Sequence, residues 1–139
     1  MKIRFLDSGI LIAAARAEED KISIEALKLI DDPDVKLASS NLVKLEILPK
    51  AIYNKNKEEA LFYDEFFQSV SIFIKIDEAL IEKALEEAQK IGSKAMDALN
   101  IVTAHQAGAE EFFTIEKKEK PLFRTKLVTV KNLFPTSIA

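Results

Sequence analysis

Short apolar runs alternate with longer amphipathic segments along the chain. The short runs predict five strands, at residues 2–6, 35–38, 70–76, 111–114 and 126–130. Apolar positions spaced three or four residues apart predict six helices, at residues 10–16, 23–30, 41–53, 57–68, 78–91 and 96–107. Residues 133–139 are expected to form a tail.

Residues near several predicted helix ends favour these boundaries. Asp77 is suited to cap the fifth helix, and Gly92 to adopt the left-handed conformation at its end. Ser39 or Ser40 can cap the third helix in the same way. Pro49 lacks an amide hydrogen and is expected to end or kink the third helix, with a continuation to residue 53.

The alternation of strands with helices predicts an α/β fold. Strands joined by helices pair in parallel, so we expect a single-domain three-layer α/β/α sandwich with a mostly parallel central sheet. Without an internal repeat or a Pro/Gly/Ser-rich linker, residues 1–139 are treated as one domain. In such folds the functional crevice lies beyond the carboxyl ends of the strands.

The composition agrees with a packed core and excludes several kinds of site. Of the 139 residues, 48% are hydrophobic and 31% are charged, which favours a globular chain over a disordered one. The net charge of −3 excludes a globally basic nucleic-acid-binding protein, so nucleic acid would need a local basic patch. The absence of cysteine excludes disulfides, thiolate zinc sites and a cysteine nucleophile, and the single histidine excludes a histidine-rich metal site.

The hydropathy pattern also bears on the compartment. No apolar run approaches the roughly 18 residues that a membrane span needs. Arg4 and Asp7 interrupt the apolar stretches at the N-terminus, so no signal peptide is predicted. We therefore expect a cytoplasmic protein without a membrane partner.

Four acidic residues are predicted to face the carboxyl edge of the sheet. Asp7 directly follows the first strand, and Glu116 lies just past the fourth. Asp97 lies in the first turn of the last helix, and Glu46 lies about two turns into the third. Since helix N-termini lie near the edge where parallel strands end, the four side chains are expected to share a pocket.

Four negative charges in one pocket require compensation. At about 5 Å and an effective dielectric constant of about 20, each pair of carboxylates repels by roughly 3 kcal/mol. Protonation or a divalent cation would relieve this repulsion. A ligand set made of oxygen alone favours Mg²⁺ or Mn²⁺ over Zn²⁺.

The first two segments that carry these acids resemble the motifs of the PIN domain family. Residues 5–12 (FLDSGILI) resemble its opening strand, which ends in Asp followed by a small hydroxylated residue, here Asp7 and Ser8. Residues 40–46 (SNLVKLE) resemble its second motif, a helix that presents Glu, here Glu46.

The last two segments resemble the remaining motifs of the same family, in the same order. Residues 94–104 (KAMDALNIVTA) are similar to the third motif, in which Asp-Ala opens a helix that soon carries Thr-Ala. Residues 112–116 (FFTIE) resemble the closing strand, which usually ends in Thr-x-Asp. The resemblance covers nearly the whole chain.

This resemblance implies an activity and partners. The family's known chemistry is the cleavage of RNA phosphodiester bonds with Mg²⁺ or Mn²⁺. Many of its small members are VapC-type toxins that pair with an antitoxin, and they usually form homodimers. The resemblance therefore implies a metal-dependent endoribonuclease that is the toxin of a toxin–antitoxin module.

The resemblance also implies roles for individual residues. The metal ligands and catalytic carboxylates would be Asp7, Glu46 and Asp97, with Glu116 in the fourth acidic position. Ser8 and Thr114 would be hydroxyl groups that surround these ligands. Asn100, one turn after Asp97, is a candidate hydrogen-bond donor around the site.

Two positions depart from the family pattern. Glu116 replaces the usual Asp, and its extra methylene moves the carboxylate by about 1.5 Å. Gly9 stands where the family often has Asn or another polar residue. These departures support an alternative hypothesis, a catalytically degenerate PIN-like module that binds RNA or a protein partner without cleavage.

A basic segment follows Glu116 and is a candidate RNA contact. Its candidate residues for RNA binding are Lys117, Lys118, Lys120 and Arg124. They would present positive charge to a phosphate backbone beside the metal site. A solvated loop is the alternative interpretation of the same charges.

Structural alternatives exist for the acidic residues too. Asp7 can close a turn, Asp97 can complement a helix dipole, and Glu46 and Glu116 can be solvated surface charges.

Two other families of Mg²⁺-dependent α/β proteins fit less well. A haloacid dehalogenase-type phosphatase needs Asp-x-Asp after the first strand, where this chain has Asp7-Ser8-Gly9, and a receiver domain needs adjacent acidic residues that this chain lacks.

Overall fold

A computed structural model describes residues 1–16 and 20–133 of the chain. The strands of this part are β1 (Lys2–Leu6), β2 (Val35–Ser40), β3 (Ile72–Ile74), β4 (Glu111–Thr114) and β5 (Thr129–Asn132). The α-helices are α1 (Ser8–Ala15), α2 (Lys21–Ile30), α3 (Asn41–Tyr53), α4 (Lys57–Ser69), α5 (Glu78–Ile91) and α6 (Ala95–Gln106), and a 3₁₀ helix spans Pro121–Arg124. The order of strands and helices is the predicted one. Most of the predicted tail lies outside the described residues.

The five strands form one parallel sheet in the order β3-β2-β1-β4-β5. The connections of β1 with β2 and of β2 with β3 run through α1 to α4, whereas β3 crosses back to β4 through α5 and α6. Because such crossovers are right-handed, the two groups of helices cover opposite faces of the sheet. The predicted three-layer α/β/α sandwich with a parallel sheet is confirmed.

Apolar side chains of the central strands form the main core. Phe5 and Leu6 of β1 are fully buried, and the Phe5 ring stacks on Phe112 of β4 with 5.4 Å between ring centroids. A second, smaller core lies between α5 and α6, around Leu80 and Leu99. Both cores hold the carboxyl edge of the sheet against the N-termini of the helices that follow it.

The ends of several helices agree with the predicted caps. The Asp77 side chain accepts a hydrogen bond from the backbone N–H of Leu80 at 2.9 Å, and Gly92 ends α5 with φ of 71°. Of the two candidate serines, Ser40 caps α3. Pro49 does not end α3, since the helix continues to Tyr53 as expected.

Three strands differ from their predicted bounds because pairing rather than hydropathy sets their ends. β2 continues past residue 38 to Ser40, which pairs with Ile74 of β3. β3 is shorter than predicted, since its three residues pair with Ala38–Ser40 of β2. β5 begins only at Thr129, where pairing with Glu111 starts. In the described part of the chain, no helix combines the length and the apolar character needed to cross a membrane.

Candidate functional site

The structure brings the four predicted acidic side chains to one edge of the sheet. Asp7 leaves the end of β1 and caps α1, and Glu116 lies two residues beyond β4. Asp97 lies in the first turn of α6, and Glu46 lies in the second turn of α3. The charge of Asp7 acts on both Glu46 and Asp97, and the charge of Glu116 acts on Asp97. We call these four residues the acidic cluster.

Asp7 is the most firmly held member of the acidic cluster. The hydroxyl of Thr114 donates a hydrogen bond to Asp7 Oδ2 at 2.8 Å. The backbone N–H of Gly9 and the hydroxyl of Ser8 each donate to Asp7 Oδ1 at 3.2 Å. Thr114 is fully buried and also accepts the backbone N–H of Glu116 at 3.1 Å, so one hydroxyl links two members of the cluster.

The environment of the acidic cluster raises the pKa of two of its carboxyl groups. Burial is the main cause of the raised pKa of Glu46, and the charges of Asp7 and Asp97 add to it. Burial likewise raises the pKa of Asp97, with further contributions from the charges of Asp7 and Glu116. Both carboxyl groups therefore ionise less readily than free carboxyl groups do, and positive charge beside them would favour their ionised form.

Asn100 adds a neutral polar group beside the acidic cluster. It lies on α6 one turn after Asp97 and is only 5% exposed. Its side chain acts on the Glu46 carboxyl group and opposes the rise in the Glu46 pKa. Its own Oδ1 is buried and has no hydrogen-bond partner among the described residues.

The donor atoms of the acidic cluster suit a hard divalent cation, although they do not enclose one. Within residues 1–16 and 20–133, no three acidic or histidine side chains lie close enough together to hold a metal ion as they stand. Carboxylates repel one another, and a cation bound between them would offset this repulsion. Carboxylate oxygens and an unsatisfied amide oxygen are the ligands and hydrogen-bond acceptors that hydrated Mg²⁺ and Mn²⁺ use.

Two lysines act on the acidic cluster. Lys94 directly precedes α6, and Lys120 directly precedes the 3₁₀ helix. Although burial and neighbouring acids raise the pKa of Asp97, both lysines oppose that rise. Both are exposed, and none of the ion pairs of the described residues includes them. Lys94 was absent from the predicted set because a lysine before a helix carries no distinctive sequence signal.

The other predicted basic residues differ in placement. Lys117 and Lys118 are exposed beside Glu116. Arg124 donates a hydrogen bond from Nη1 to the backbone carbonyl of Ile91 at 2.9 Å, so its guanidinium contacts the end of α5. The basic segment is thus divided between residues near the acidic cluster and one that ties the 3₁₀ helix to α5.

The missing side chain at Gly9 has a packing explanation. A Cβ atom at position 9 would lie 2.8 Å from Cγ1 and 2.9 Å from Cδ1 of Ile115. Ile115 therefore occupies the volume that a side chain at position 9 would need. The two residues are separated by most of the chain and meet where β4 ends beside the start of α1.

We expect Gly9→Ala to destabilise the parent and to stabilise the Ile115→Ala variant. In the parent, overpacking against Ile115 costs about 1–3 kcal/mol, whereas alanine in the first turn of α1 gains less than the roughly 1 kcal/mol of a helix interior, so the cost is expected to outweigh the gain. In the Ile115→Ala background only the helix gain remains. Urea unfolding of the four proteins of this cycle measures the difference. An equal effect of Gly9→Ala in both backgrounds would contradict the packing explanation.

Solved structures share this fold at low sequence identity. One is VapBC2 from Rickettsia felis bound to a DNA fragment from their promoter, with a TM-score of 0.70, 18% identity, and coverage of 95% of this chain and 99% of that chain. A second is a toxin-antitoxin complex from Klebsiella pneumoniae, with a TM-score of 0.67, 19% identity, and coverage of 91% of this chain and 95% of that chain. A third is FitAcB from Neisseria gonorrhoeae, with a TM-score of 0.62, 19% identity, and coverage of 91% of this chain and 95% of that chain. These likenesses concern the fold.

A family comparison covers most of the described residues. A search of curated proteins finds no match. The sequence model of the PIN domain matches residues 4–118, a segment that runs from within β1 to beyond β4 and includes all four members of the acidic cluster. The chain therefore belongs to the PIN domain family.

Proposed function

We propose that this protein is a cytoplasmic endoribonuclease that hydrolyses RNA phosphodiester bonds with Mg²⁺ or Mn²⁺. The observation that carries the proposal is the acidic cluster, in which four carboxyl groups lie at the same edge of the sheet in a PIN domain and the charges of several act on one another. Such a cluster is unfavourable for stability on its own, so its presence favours a role in binding a cation.

The proposed ligands of the cation are Asp7, Glu46 and Asp97, with Glu116 in the fourth position. When bound, the cation supplies positive charge to the scissile phosphate and lowers the pKa of the attacking water. Asp7 holds a fixed position because three groups donate hydrogen bonds to it. A carboxylate of the acidic cluster orients the water and accepts its proton as the water oxygen bonds to phosphorus. The bond between phosphorus and the leaving oxygen breaks, and the leaving oxygen takes up a proton from solvent.

The substrate class is tested with end-labelled structured RNA and with single-stranded DNA of the same sequence. Each is incubated with the protein and Mg²⁺, Mn²⁺ or EDTA. The proposal predicts cleavage of the RNA with either metal, and none with EDTA. Cleavage that persists in EDTA would contradict metal dependence, and equal cleavage of DNA would contradict the assignment to RNA.

The basic residues that act on the acidic cluster are proposed to hold the RNA backbone. Lys120 belongs to the predicted set, together with Lys117, Lys118 and Arg124, and Lys94 joins it because of its position beside Asp97. A phosphate bound next to the cation would lie within the field of Lys94 and Lys120. Both side chains are exposed and therefore available to a ligand.

We expect Lys94→Ala and Lys120→Ala each to weaken RNA binding about 3–10-fold at low salt, because each removes one phosphate contact. Each change is also expected to reduce the slope of log affinity against log salt by about 1. Fluorescence anisotropy across a salt series measures both quantities. Lys36→Ala, an exposed lysine at the opposite edge of the sheet, is the control. Salt slopes equal to that of the parent would contradict the assignment.

Protein partners are proposed from the same resemblance. VapBC2 was solved with promoter DNA, and the Klebsiella protein as a toxin-antitoxin complex. We propose that this chain is likewise a toxin with a cognate antitoxin, and that it forms a homodimer. An apolar groove of about 560 Å³ between α5 and α6 supports the homodimer, since Ile81, Leu85 and Met96 on its walls are each about half exposed. A small DNA-binding protein encoded beside this chain would support the toxin role.

A second candidate function is a degenerate PIN module that binds RNA or a protein without cleavage. Glu116 in place of Asp favours it, as does the apolar Ile115 in the space where the family often has a polar side chain. Glu116→Asp distinguishes the two candidates. A gain in cleavage by this variant would indicate an impaired nuclease, whereas no cleavage by either protein with any metal would favour the binding module.

A further inference from the structure

Asn100 stands apart from its neighbours on α6. The residues on both sides of it, Leu99 and Ile101, are buried apolar residues, and Asn100 itself is 5% exposed. Its side chain acts on the Glu46 carboxyl group and opposes the rise in the Glu46 pKa, and its amide nitrogen Nδ2 is the only atom of the side chain that can donate to a carboxylate. This leaves Oδ1 as a buried acceptor beside the acidic cluster.

The unsatisfied Oδ1 is costly in the protein as it stands. A buried acceptor without a partner loses the hydrogen bonds that water gives it in the unfolded chain, and this loss lowers stability. Thr103, one turn further along the same helix, shows the usual arrangement, since its hydroxyl donates to the Leu99 carbonyl at 2.7 Å. Among the described residues, the only other buried side-chain oxygen or nitrogen without a hydrogen-bond partner is the hydroxyl of Ser39, which lies within strand β2. An isosteric leucine at position 100 would avoid the cost, so the amide points to a ligand.

The groups around Oδ1 define the chemistry of this ligand. The hydroxyl donors near the acidic cluster are already used, because Ser8 and Thr114 donate to Asp7. Glu46, Asp97 and Asn100 Oδ1 present only acceptor atoms when the two carboxyl groups are ionised. A hydrated divalent cation satisfies all of them, since its charge neutralises the carboxylates and its water molecules donate hydrogen bonds.

We propose that Asn100 is a positioning residue of the cation site, an inference that rests on the proposed function. Its Nδ2 orients the Glu46 carboxylate, and its Oδ1 accepts a hydrogen bond from a water molecule in the hydration shell of Mg²⁺ or Mn²⁺. Groups that orient metal ligands in this way change metal affinity or activity about 10–100-fold when they are replaced.

Isothermal titration of the metal-free protein with Mn²⁺ tests the proposal without reference to activity. We expect Asn100→Leu to weaken Mn²⁺ binding about 10–100-fold, because leucine keeps the volume and removes both hydrogen-bonding atoms. Asn100→Asp keeps an acceptor and adds charge, so it is expected to bind Mn²⁺ at least as tightly as Asn100→Leu. Thr103→Val, which also replaces a buried polar group of α6, is expected to bind Mn²⁺ like the parent.

The outcomes separate this inference from the proposed function. If the parent binds Mn²⁺ and Asn100→Leu binds it equally well, Asn100 has only a packing role and the inference is wrong. If the parent shows no saturable binding, the proposed cation site fails and the inference fails with it. Should Asn100→Leu not fold, Asn100→Ser takes its place, because its shorter hydroxyl cannot replace both contacts and the same loss of affinity is expected.

Discussion

Replacing Asp97 by Asn is expected to stabilise the metal-free protein and to abolish its stabilisation by Mn²⁺. Burial and the charges of Asp7 and Glu116 raise the pKa of Asp97. The folded state therefore binds more protons than the unfolded state, and the free energy of unfolding falls as the pH rises through that pKa. At neutral pH the ionised Asp97 opposes folding, and the neutral amide removes this repulsion.

The expected gain is about 1 kcal/mol after allowance for solvent screening, or about 3–5 °C in Tm for a domain of this size. In the parent, Mn²⁺ at about 100 times its Kd adds about 2.7 kcal/mol, and Asp97→Asn is expected to lose this increment. Thermal unfolding at pH 7 with EDTA or Mn²⁺ measures both effects. Asp64→Asn, an identical change at an exposed position of α4, is the control. A Tm lowered by Asp97→Asn in EDTA would show that Asp97 has a structural role.

Replacing Arg4 by Met is expected to destabilise the protein by about 3–5 kcal/mol, because the buried carboxylate of Glu111 then loses one of its positively charged partners. Arg4 Nε donates to Glu111 Oε1 at 3.1 Å, and both residues are less than 10% exposed. The same guanidinium donates to the Leu29 carbonyl at 2.9 Å and pairs with Asp32 at 3.2 Å. Lys131 remains on the other oxygen of Glu111, at 2.8 Å.

Urea unfolding measures this loss, with Lys28→Met as the matched control. Lys28 forms an exposed pair with Glu25 at 3.4 Å on α2, whose loss is expected to cost about 0.5 kcal/mol or less. The Arg4→Met and Glu111→Met double variant is expected to recover much of the stability, since no buried charge is left unpaired. Equal losses in Arg4→Met and Lys28→Met would contradict the buried ion pair.

The same ion pair predicts acid sensitivity. Burial alone would raise the pKa of Glu111, but the hydrogen bonds and charges of Lys131 and Arg4 outweigh burial and lower it. A carboxyl group with a lowered pKa stabilises the fold above its ordinary pKa, and this contribution is lost as the pH falls through the folded value. The carboxyl groups of Asp97 and Glu46 act in the opposite direction.

The sequence predicted the layers of the fold because each layer depends on local signals. Hydrophobic runs and the caps at Asp77 and Gly92 are properties of neighbouring residues, and α5 has its predicted bounds. The ends of β3 and β5 were less well predicted, because pairing with another strand decides them. The central position of β1 depends on long-range pairing in the same way.

The placement of the acidic residues was predictable because Asp7, Asp97 and Glu116 lie at or near the ends of elements that the pattern reveals, and Glu46 lies in the second turn of a predicted helix. The groups that surround them were only partly predictable. Ser8 adjoins Asp7 in the sequence, whereas the contact between Gly9 and Ile115 joins distant segments. The bond from Arg124 to Ile91 depends on how the 3₁₀ helix packs on α5, and nothing local in the sequence distinguishes Arg124 from the neighbouring lysines.

Cleavage of one end-labelled RNA by the parent, Asp97→Asn and Asp64→Asn in Mn²⁺ is the most direct test of the proposed active site. The predicted result is that the parent and Asp64→Asn cleave at the same positions, that EDTA stops both, and that Asp97→Asn is at least about 100-fold slower while it remains folded. Cleavage by Asp97→Asn at the rate of the parent would contradict the assignment of the acidic cluster as the catalytic site.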